Sequence, residues 1–329
     1  MKRIVLAVAA LALALPAATA SADPAPAFRD TVLPAHARAL QAAALDGYWG
    51  GPTTAATGET VNVYVSTDYP EDPAVTQKWA DFLASLVHGD ELSSVDVRLE
   101  SERQVRRLCG RLALACYSPS THTIVVPFVQ SPDGPTTESV LAHEYGHHIA
   151  ATRLNTPWDA NDYGPKRWAT AVGVCQKAQA GVLFPGDEGE NYTFNPAEIF
   201  AEDYRLLNER KLGLPVSAWE IVDESVQPDD AALAALEQDV VAPWLGQRTL
   251  TYSGSFRKGS PARARTFVIQ TPLDGSVEAR IASPKGTSFK LRLDGHPTSF
   301  QNVCGRRTVT ASISRVKGYG AFRLIASVP

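Results

Sequence analysis

Residues 143–147 read His-Glu-Tyr-Gly-His, and this stretch predicts both a helix and the chemistry on that helix. Two threonines stand ahead of it as candidate N-caps, and apolar residues recur around it at helical spacing, so the sequence predicts a helix from Glu138 to Arg153. His143 and His147 then lie about one turn apart on one face, where both imidazoles can point at a single ion. Because imidazole nitrogen is a preferred zinc ligand, this spacing predicts a zinc site on the helix.

Glu144 stands beside the first predicted ligand, and from there its carboxylate can reach a water molecule at the ion's open position. This is the H-E-x-x-H arrangement of zinc peptidases, in which the glutamate is the general base. A catalytic zinc takes three protein ligands, so one more residue is needed. The longer H-E-x-x-H-x-x-G-x-x-H pattern does not supply it, because Ala150 and Arg153 occupy its last two positions. His148 points about 100° around the helix from His147, and we interpret it either as a residue that supports the ligands or as a solvated one.

A later segment offers two carboxylates at helical spacing. Asn195 is a good N-cap and proline suits the first turn, so the sequence predicts a helix from Pro196 to Leu207. Glu198 and Glu202 are four residues apart and share one face of this helix. We expect Glu198 to be the third zinc ligand, and Glu202 to accept the outer N–H of a ligating histidine and fix its tautomer. The alternative is that both glutamates belong to a solvated acidic face.

Together, the two helices resemble those of the gluzincin clan of metallopeptidases, and the run from Glu198 to Glu202 resembles the catalytic domains of anthrax lethal factor and related bacterial zinc peptidases. The resemblance covers roughly 65 residues, from 138 to 204. It implies an α+β zincin-like catalytic domain, with a small sheet, an active-site helix, a helical C-terminal part and Zn²⁺ as cofactor. It also implies that a tyrosine shortly before the third ligand supports the reaction. Tyr192 is the candidate for this role, with Tyr204 and Tyr163 as alternatives.

The composition of the chain changes after residue 246, where Gly, Ser, Thr and Pro become frequent and helical spacing ends. Short strand candidates without helices predict a small all-β sandwich over residues 247–329, which resembles the domains appended to secreted bacterial peptidases. We assign residues 23–246 to the zincin-like domain. Its predicted strands are residues 61–66, 94–99 and 121–128, and its further predicted helices are residues 28–45, 74–88, 168–180 and 229–242.

Two of these elements have alternative roles. The strand 121–128 precedes the zinc helix, and it is either an edge strand that pairs with extended substrate or a plain core strand. The helix 28–45 is expected to pack on the surface of the catalytic domain. A short pro-segment is the alternative for these residues, although they contain no cysteine that could bind and block a zinc.

The N-terminus has the features of a secretory signal peptide. Lys2 and Arg3 precede an apolar run at residues 4–15, which is too short to span a bilayer. Small residues follow, and cleavage is expected near Ala20 or Ala22. We therefore assign residues 1–22 to a signal peptide and predict a secreted protein, either extracellular or periplasmic.

Four cysteines in an oxidising compartment predict two disulfides. Three connectivities are possible, and sequence alone does not choose among them. Proximity in sequence favours Cys109 with Cys116, which leaves Cys175 with Cys304.

The formal net charge of −4 and the lack of a clustered Lys/Arg stripe predict no nucleic-acid partner. No segment after the signal peptide is apolar enough to span a membrane, and a monomer is expected. The function predicted is a secreted zinc endopeptidase that hydrolyses peptides or proteins, with Glu144 as general base. The alternative is a catalytically inert zincin scaffold that acts as a binding protein through its C-terminal β-sandwich.

Overall fold

The computed structural model describes residues 29–34, 45–129, 134–215 and 221–329. The predicted signal peptide lies outside the described residues, and so does most of the predicted helix 28–45. Among the residues that are described, no helix is both long enough and apolar enough to cross a bilayer.

Residues 29–34, which we name the N-terminal segment, are extended rather than helical, so the helix prediction is wrong over these residues. Arg29 forms an isolated parallel bridge with Ala113, and Val32 forms another with Tyr117. The β-branched pair that precedes Leu33 and the proline after it favour extended backbone. Hydrogen bonds to a neighbouring chain segment then outweigh the helical preference of the alanine-rich surroundings.

A five-stranded mixed sheet lies behind the predicted zinc helix. Its strands are β1 (Tyr48–Thr54), β2 (Thr60–Ser66), β3 (Asp96–Glu100), β4 (Cys116–Ser118) and β5 (Thr123–Pro127). They lie in the order β1-β2-β3-β5-β4, with β2, β3 and β5 parallel to one another and the outer two antiparallel to their neighbours. Every residue of β5 is buried, and β4 and β1 are the edge strands of this sheet. Of the two roles considered for residues 121–128, the core strand is therefore correct and the edge strand is wrong.

The described residues also form helices of widely different length. They are α1 (Pro73–Ser85), α2 (Glu102–Cys109), α3 (Thr137–Ala151), α4 (Ala160–Tyr163), α5 (Lys166–Val172), α6 (Val174–Gln179), α7 (Pro196–Leu212) and α8 (Asp230–Val241), with 3-10 turns at Leu45–Gly47, Asp90–Ser94, Tyr192–Phe194 and Glu224–Val226. The single helix predicted over residues 168–180 is two helices, because Gly173 between them adopts left-handed backbone with φ 75°. Sequence patterns do not predict β1, which contains Gly-Gly-Pro, or β4, which has three residues, or α2, which lacks an apolar period.

Helices α3 and α7 carry the predicted ligands and begin at the predicted caps. The Thr136 side chain accepts a hydrogen bond from the N–H of Ser139 at 3.0 Å, and the Asn195 side chain accepts one from Ala197 at 3.2 Å. Both helices are buried along most of their length, and α3 packs between the sheet and α7. This buried position holds the side chains of the two helices in fixed relation to each other.

The C-terminal region is all β, as predicted. Its strands are β6 (Arg248–Phe256), β7 (Ala264–Gln270), β8 (Gly275–Ala282), β9 (Ser288–Leu293), β10 (Phe300–Val303), β11 (Thr308–Lys317) and β12 (Gly320–Val328). One antiparallel sheet has the order β10-β8-β12-β6 and the other has the order β7-β11-β9. The inward residues of both sheets form one hydrophobic core. The sequence predicts strands in this region at residues 250–252, 266–269, 277–281, 289–293, 309–313 and 322–325, and among the observed strands β10 has no such counterpart.

Two disulfides are present, Cys109–Cys116 and Cys175–Cys304, with Cα–Cα distances of 5.5 and 5.6 Å. Their presence confirms the prediction of two bridges, and it is consistent with an extracellular protein. The second bridge ties α6 to the loop after β10. Close by, the Lys166 ammonium donates to the backbone carbonyl of Asp274 at 3.0 Å, so the junction between the all-β region and the helices is both covalent and hydrogen-bonded.

Candidate metal centre

Four side chains from three parts of the chain meet at one buried point, and we name Asp30, His143, His147 and Glu198 the metal cluster. Each offers one ligand atom, and these atoms all lie within 4.8 Å of one another. The two histidines come from α3, the glutamate from the first turn of α7 and the aspartate from the N-terminal segment. All four are buried, so the cluster could hold a metal ion away from bulk solvent.

The spacing of the four ligand atoms suits a tetrahedral ion. The Nε2 atom of His147 lies 3.1 Å from Asp30 Oδ2 and 3.5 Å from Glu198 Oε2. The Nε2 atom of His143 lies 3.5 Å from the same Asp30 oxygen and 3.3 Å from the same glutamate oxygen. Ligands bound about 2.0–2.1 Å from a tetrahedral zinc lie about 3.3 Å from each other. The residues therefore fit a four-coordinate divalent ion of that size.

The electrostatics of the cluster also favour a cation. Burial alone would lower the pKa of His143, but Asp30 and the two facing glutamates outweigh burial and hold that pKa well above its usual value. For His147, burial is likewise outweighed by Glu198 and Asp30, and its pKa is raised to about 10. The two imidazoles in turn overcome the burial of Asp30 and keep its pKa well below the usual range. A divalent ion bound here would supply the positive charge that two protons would otherwise bring.

Asp30 is the member of the cluster that sequence reasoning missed. Its Oδ1 atom accepts a hydrogen bond from the Tyr192 hydroxyl, while its Oδ2 atom faces the two histidines. Burial, followed by Asp30 and Glu198, raises the pKa of Tyr192 well above its usual value, so this hydroxyl keeps its proton and acts as a donor. No local pattern marks Asp30, because only the extended path of the N-terminal segment brings it to the site.

Glu144 lies beside the cluster and is fully buried. Neither of its carboxylate oxygens has a hydrogen-bond partner among the described residues. Burial, and then the charge of Asp30, raises the pKa of Glu144 well above its usual value. A buried carboxyl group without a partner is costly, so Glu144 is a candidate functional residue.

Glu202 stands behind the cluster. One of its carboxylate oxygens lies 3.4 Å from His143 Nδ1, the nitrogen that faces away from the ligand atoms. The Arg205 guanidinium donates to both oxygens of this carboxylate, one of them at 2.9 Å. Burial would raise the pKa of Glu202, but Arg205 and His143 outweigh it and lower that pKa, so the carboxylate stays ionised. In this position Glu202 can fix the orientation and tautomer of His143.

The remaining candidates from the sequence lie away from the cluster. The Tyr204 hydroxyl donates to the carbonyl of Val87 at 2.6 Å, and the Tyr163 ring stacks on Trp158. His148 is buried rather than solvated, because its ring nitrogens lie 3.1 Å from the Tyr117 hydroxyl and 3.0 Å from the carbonyl of Glu91. Of the three tyrosines considered, only Tyr192 reaches the metal cluster.

Gly146, between the two histidines, permits the close contact of α3 with α7. A Cβ atom at this position would lie 2.8 Å from the Cα atom of Ala201. We expect Gly146→Ala to lower the free energy of unfolding by about 1–3 kcal/mol, because the helices must separate, and also to weaken metal binding. Denaturant unfolding with and without zinc measures both effects. Gly47→Ala is the matched control, since a Cβ atom at Gly47 meets no atom within 4 Å; equal losses in the two variants would contradict the packing argument.

Comparison with protein-family models, with curated proteins and with solved structures gave no match for this chain.

Proposed function

We propose that the protein is a zinc-dependent endopeptidase with a zincin-like catalytic domain. The proposal rests mainly on the convergence of His143, His147 and Glu198, whose ligand atoms lie within 4.8 Å of one another, with the unpartnered carboxyl group of Glu144 beside them. Two histidines and one carboxylate form a ligand set of catalytic zinc, and an adjacent glutamate is the proton carrier that such chemistry needs.

A zinc ion bound in this cluster would supply Lewis-acid activation of a water molecule and of the scissile carbonyl group. Glu144, which is buried beside the cluster without a hydrogen-bond partner among the described residues, takes the proton of the attacking water and delivers it to the leaving amine. Tyr192 keeps its proton and can donate to the oxyanion of the tetrahedral intermediate. Glu202 holds the His143 ring in place during the reaction.

A second candidate is favoured by one specific observation, the position of Asp30. With Asp30 as the fourth ligand the cluster is closed, and closed four-ligand sites are typical of structural zinc. In that case the protein would be an inert scaffold that acts through its all-β region. Against this alternative, a structural site has no use for Glu144, whose burial without a partner lowers stability.

Secretion is part of the proposal and is supported by the two disulfides. The substrate proposed is an extended peptide or an unfolded protein segment, because α3 packs beside β4, an edge strand of the sheet, and extended chains bind by adding to a sheet edge. We also propose that the protein is a monomer and that it does not bind nucleic acid.

The test uses metal-free protein prepared with a chelator, as wild type and as Asp30→Ala, and a pool of synthetic peptides analysed by mass spectrometry. We expect zinc, added in stoichiometric amount, to restore cleavage of internal peptide bonds by Asp30→Ala, and magnesium to have no effect, because the donor set is nitrogen-rich. Zinc-loaded Asp30→Ala that cleaves no peptide would favour the structural alternative.

A further inference from the structure

We propose that the N-terminal segment, residues 29–34, is an autoinhibitory segment that keeps the enzyme latent by placing Asp30 at the fourth position of the metal cluster. This inference rests on the proposed peptidase function. It assigns the role of a pro-segment to residues 29–34. The group that blocks the zinc would be the carboxylate of Asp30, and not a cysteine thiolate.

The Asp30 carboxylate occupies two catalytic positions at once. Its Oδ2 atom lies 3.1 Å from His147 Nε2, among the ligand atoms of the cluster, where it would compete with water or the scissile carbonyl for a bound zinc ion. Its Oδ1 atom accepts the Tyr192 hydrogen bond that would otherwise be available to an oxyanion. The Asp30 carboxylate thus occupies the metal position and accepts the Tyr192 hydrogen bond, the two contacts that the carboxyl group of a peptide product would make. Because a substrate needs the same two contacts, substrate and Asp30 cannot bind at the same time.

The backbone of the N-terminal segment covers the edge of the sheet. The N–H of Leu114 donates to the carbonyl of Arg29 at 2.7 Å, and the N–H of Leu33 donates to the carbonyl of Tyr117 at 2.8 Å. The backbone N–H of Tyr117 also donates to the backbone carbonyl of Thr31 at 3.2 Å. An extended peptide substrate would use the same edge donors and acceptors, because strand addition is the general way in which a sheet edge binds a peptide.

Side chains at both ends of the segment hold it in place. The Arg29 guanidinium lies 4.2 Å above the Tyr192 ring and donates to the carbonyl of Glu188 at 2.6 Å. Leu33 is buried in a small apolar cluster on the outer face of the sheet, with Val105, Cys109, Ala113, Cys116 and Val125. Because the segment is tethered to the domain, even modest contacts keep it bound at a high effective concentration. Loss of the chain up to Pro34 would remove that advantage and open the site.

The test compares Asp30→Ala and Asp30→Asn with Asp46→Ala, an acidic residue in the turn before β1 that is exposed. Cobalt replaces zinc, because its visible spectrum reports the ligand set independently of activity. We expect both Asp30 variants to change the spectrum and to release metal to a chelator faster, and Asp30→Ala to gain at least about tenfold in peptide hydrolysis over wild type. We expect Asp46→Ala to match wild type in all three measurements.

The outcomes separate this proposal from the peptidase function. Unchanged cobalt spectra in the Asp30 variants, with hydrolysis at the wild-type rate, would overturn the autoinhibitory role and leave the peptidase function intact. A changed spectrum with metal retained but no hydrolysis by any variant would refute the peptidase function and make Asp30 a structural ligand, which overturns the latent state as well.

A separate observation concerns the far end of the all-β region. Residues 247–329 carry 14 lysine and arginine residues against three acidic ones, although the whole chain has a net charge of −4. We infer that this region binds anionic lipid surfaces through one end, which we name the cationic end. It consists of three loops at residues 257–263, 283–287 and 315–319, the last of which includes the final residues of β11.

Strand pairing brings these three loops together. Phe256, the last residue of β6, pairs with Gly320 at the start of β12, and Lys317 of β11 pairs with Ser288 at the start of β9. The loops contain no acidic residue and six basic ones, none of them in an ion pair among the described residues: Arg257, Lys258, Arg263, Lys285, Arg315 and Lys317.

The opposite end of the region is occupied and its charges are neutralised. Asp274 pairs with Arg307 at 2.7 Å, and Asp294 pairs with Arg306 at 2.9 Å. The Cys175–Cys304 bridge fastens this end to the helices. The cationic end therefore points away from the attachment site, where it is free to meet a surface.

Apolar groups within the cationic end favour a lipid surface over a soluble polyanion. Val316 is 63% exposed and Tyr319 is 44% exposed, and the Arg315 guanidinium lies 4.4 Å above the Tyr319 ring. Tyrosine is suited to the headgroup level of a membrane, and lysine and arginine are attracted to anionic leaflets. A soluble polyanion would use the six cations but would leave the exposed valine without a partner.

Sedimentation of the full chain with lipid vesicles tests this inference. We expect binding to vesicles that contain phosphatidylglycerol, no binding to pure phosphatidylcholine, and loss of binding at about 1 M salt, where charges are screened within about 3 Å. Arg315→Ala/Lys317→Ala should weaken the partition at least about tenfold, and Val316→Ser should weaken it without a change of charge. The control Arg248→Ala/Arg280→Ala removes two exposed charges outside the three loops and should stay within about threefold of wild type.

Three results would overturn the lipid interpretation. Equal losses in the two double variants would mean that overall charge, rather than the cationic end, determines binding. Absence of binding to anionic vesicles would exclude a lipid surface. Binding to heparin or DNA with no binding to vesicles would identify a soluble polyanion as the partner instead.

Discussion

Glu144→Gln is expected to abolish peptide hydrolysis while leaving zinc bound. The side chain is not a ligand in the cluster, and glutamine fills the same buried space, so the positions of His143 and His147 should not change. Glutamine cannot take a proton from water or return one to the leaving amine. General-base catalysis contributes at least about 100-fold, so we expect a loss of that size or more.

This experiment belongs in the Asp30→Ala background, because the wild-type chain is proposed to be latent. Glu138→Gln, in the first turn of the same helix and half-exposed, is the matched control and should keep full activity. Zinc content by elemental analysis accompanies both measurements. Activity of the Glu144→Gln variant within about tenfold of its parent would rule out Glu144 as the general base.

Glu198→Ala is expected to lose most of its zinc, and with it all activity. In the Asp30→Ala background only the two histidines would remain as ligands, and two ligands bind the ion weakly. Glu202→Ala should instead keep the ion with about 10–100-fold lower affinity, the usual cost of removing a group that orients a ligand. Competition with a chromogenic chelator measures both affinities.

The two variants also test which glutamate of α7 binds the zinc and which one orients His143. Glu198 has its Oε2 atom 3.3 Å from His143 Nε2, whereas Glu202 faces the opposite nitrogen of the same ring at 3.4 Å. Zinc retained in Glu198→Ala but lost from Glu202→Ala would reverse the assignment. Zinc retained in both would place the third ligand elsewhere. Glu202→Gln keeps a hydrogen-bond acceptor beside His143 and should recover part of the lost affinity.

Local signals account for the parts of the structure that the sequence predicts. Spacing of four residues on a capped helix is enough to bring His143 and His147 together on α3, and the same spacing with an Asn-Pro start presents Glu198 and Glu202 on α7. The caps and the spacing that produce these ligand pairs all lie within a few residues of the ligands. The all-β region after residue 246 is also predicted by local signals, because turn residues separate its short strands.

Long-range contacts account for what the sequence does not predict. Asp30 is more than a hundred residues from His143 and reaches it only because the N-terminal segment pairs with residues 113–117 beside the sheet edge. That edge, β4, has three residues and no alternation that would reveal it. The sequence does not predict the cationic end for a different reason. Its positive charges are spread over three loops, and the acidic residues of the N-terminal part outnumber them in the net charge of the chain.

Digestion of a peptide pool by zinc-loaded Asp30→Ala in water enriched with heavy oxygen tests whether the metal cluster hydrolyses peptide bonds. We expect new peptide C-termini that carry one heavy oxygen atom from the attacking water, and we expect the same digest with Asp30→Ala/Glu144→Gln to contain almost none. Zinc-loaded, folded Asp30→Ala that produces no labelled C-termini would contradict the proposal that this metal cluster hydrolyses peptide bonds.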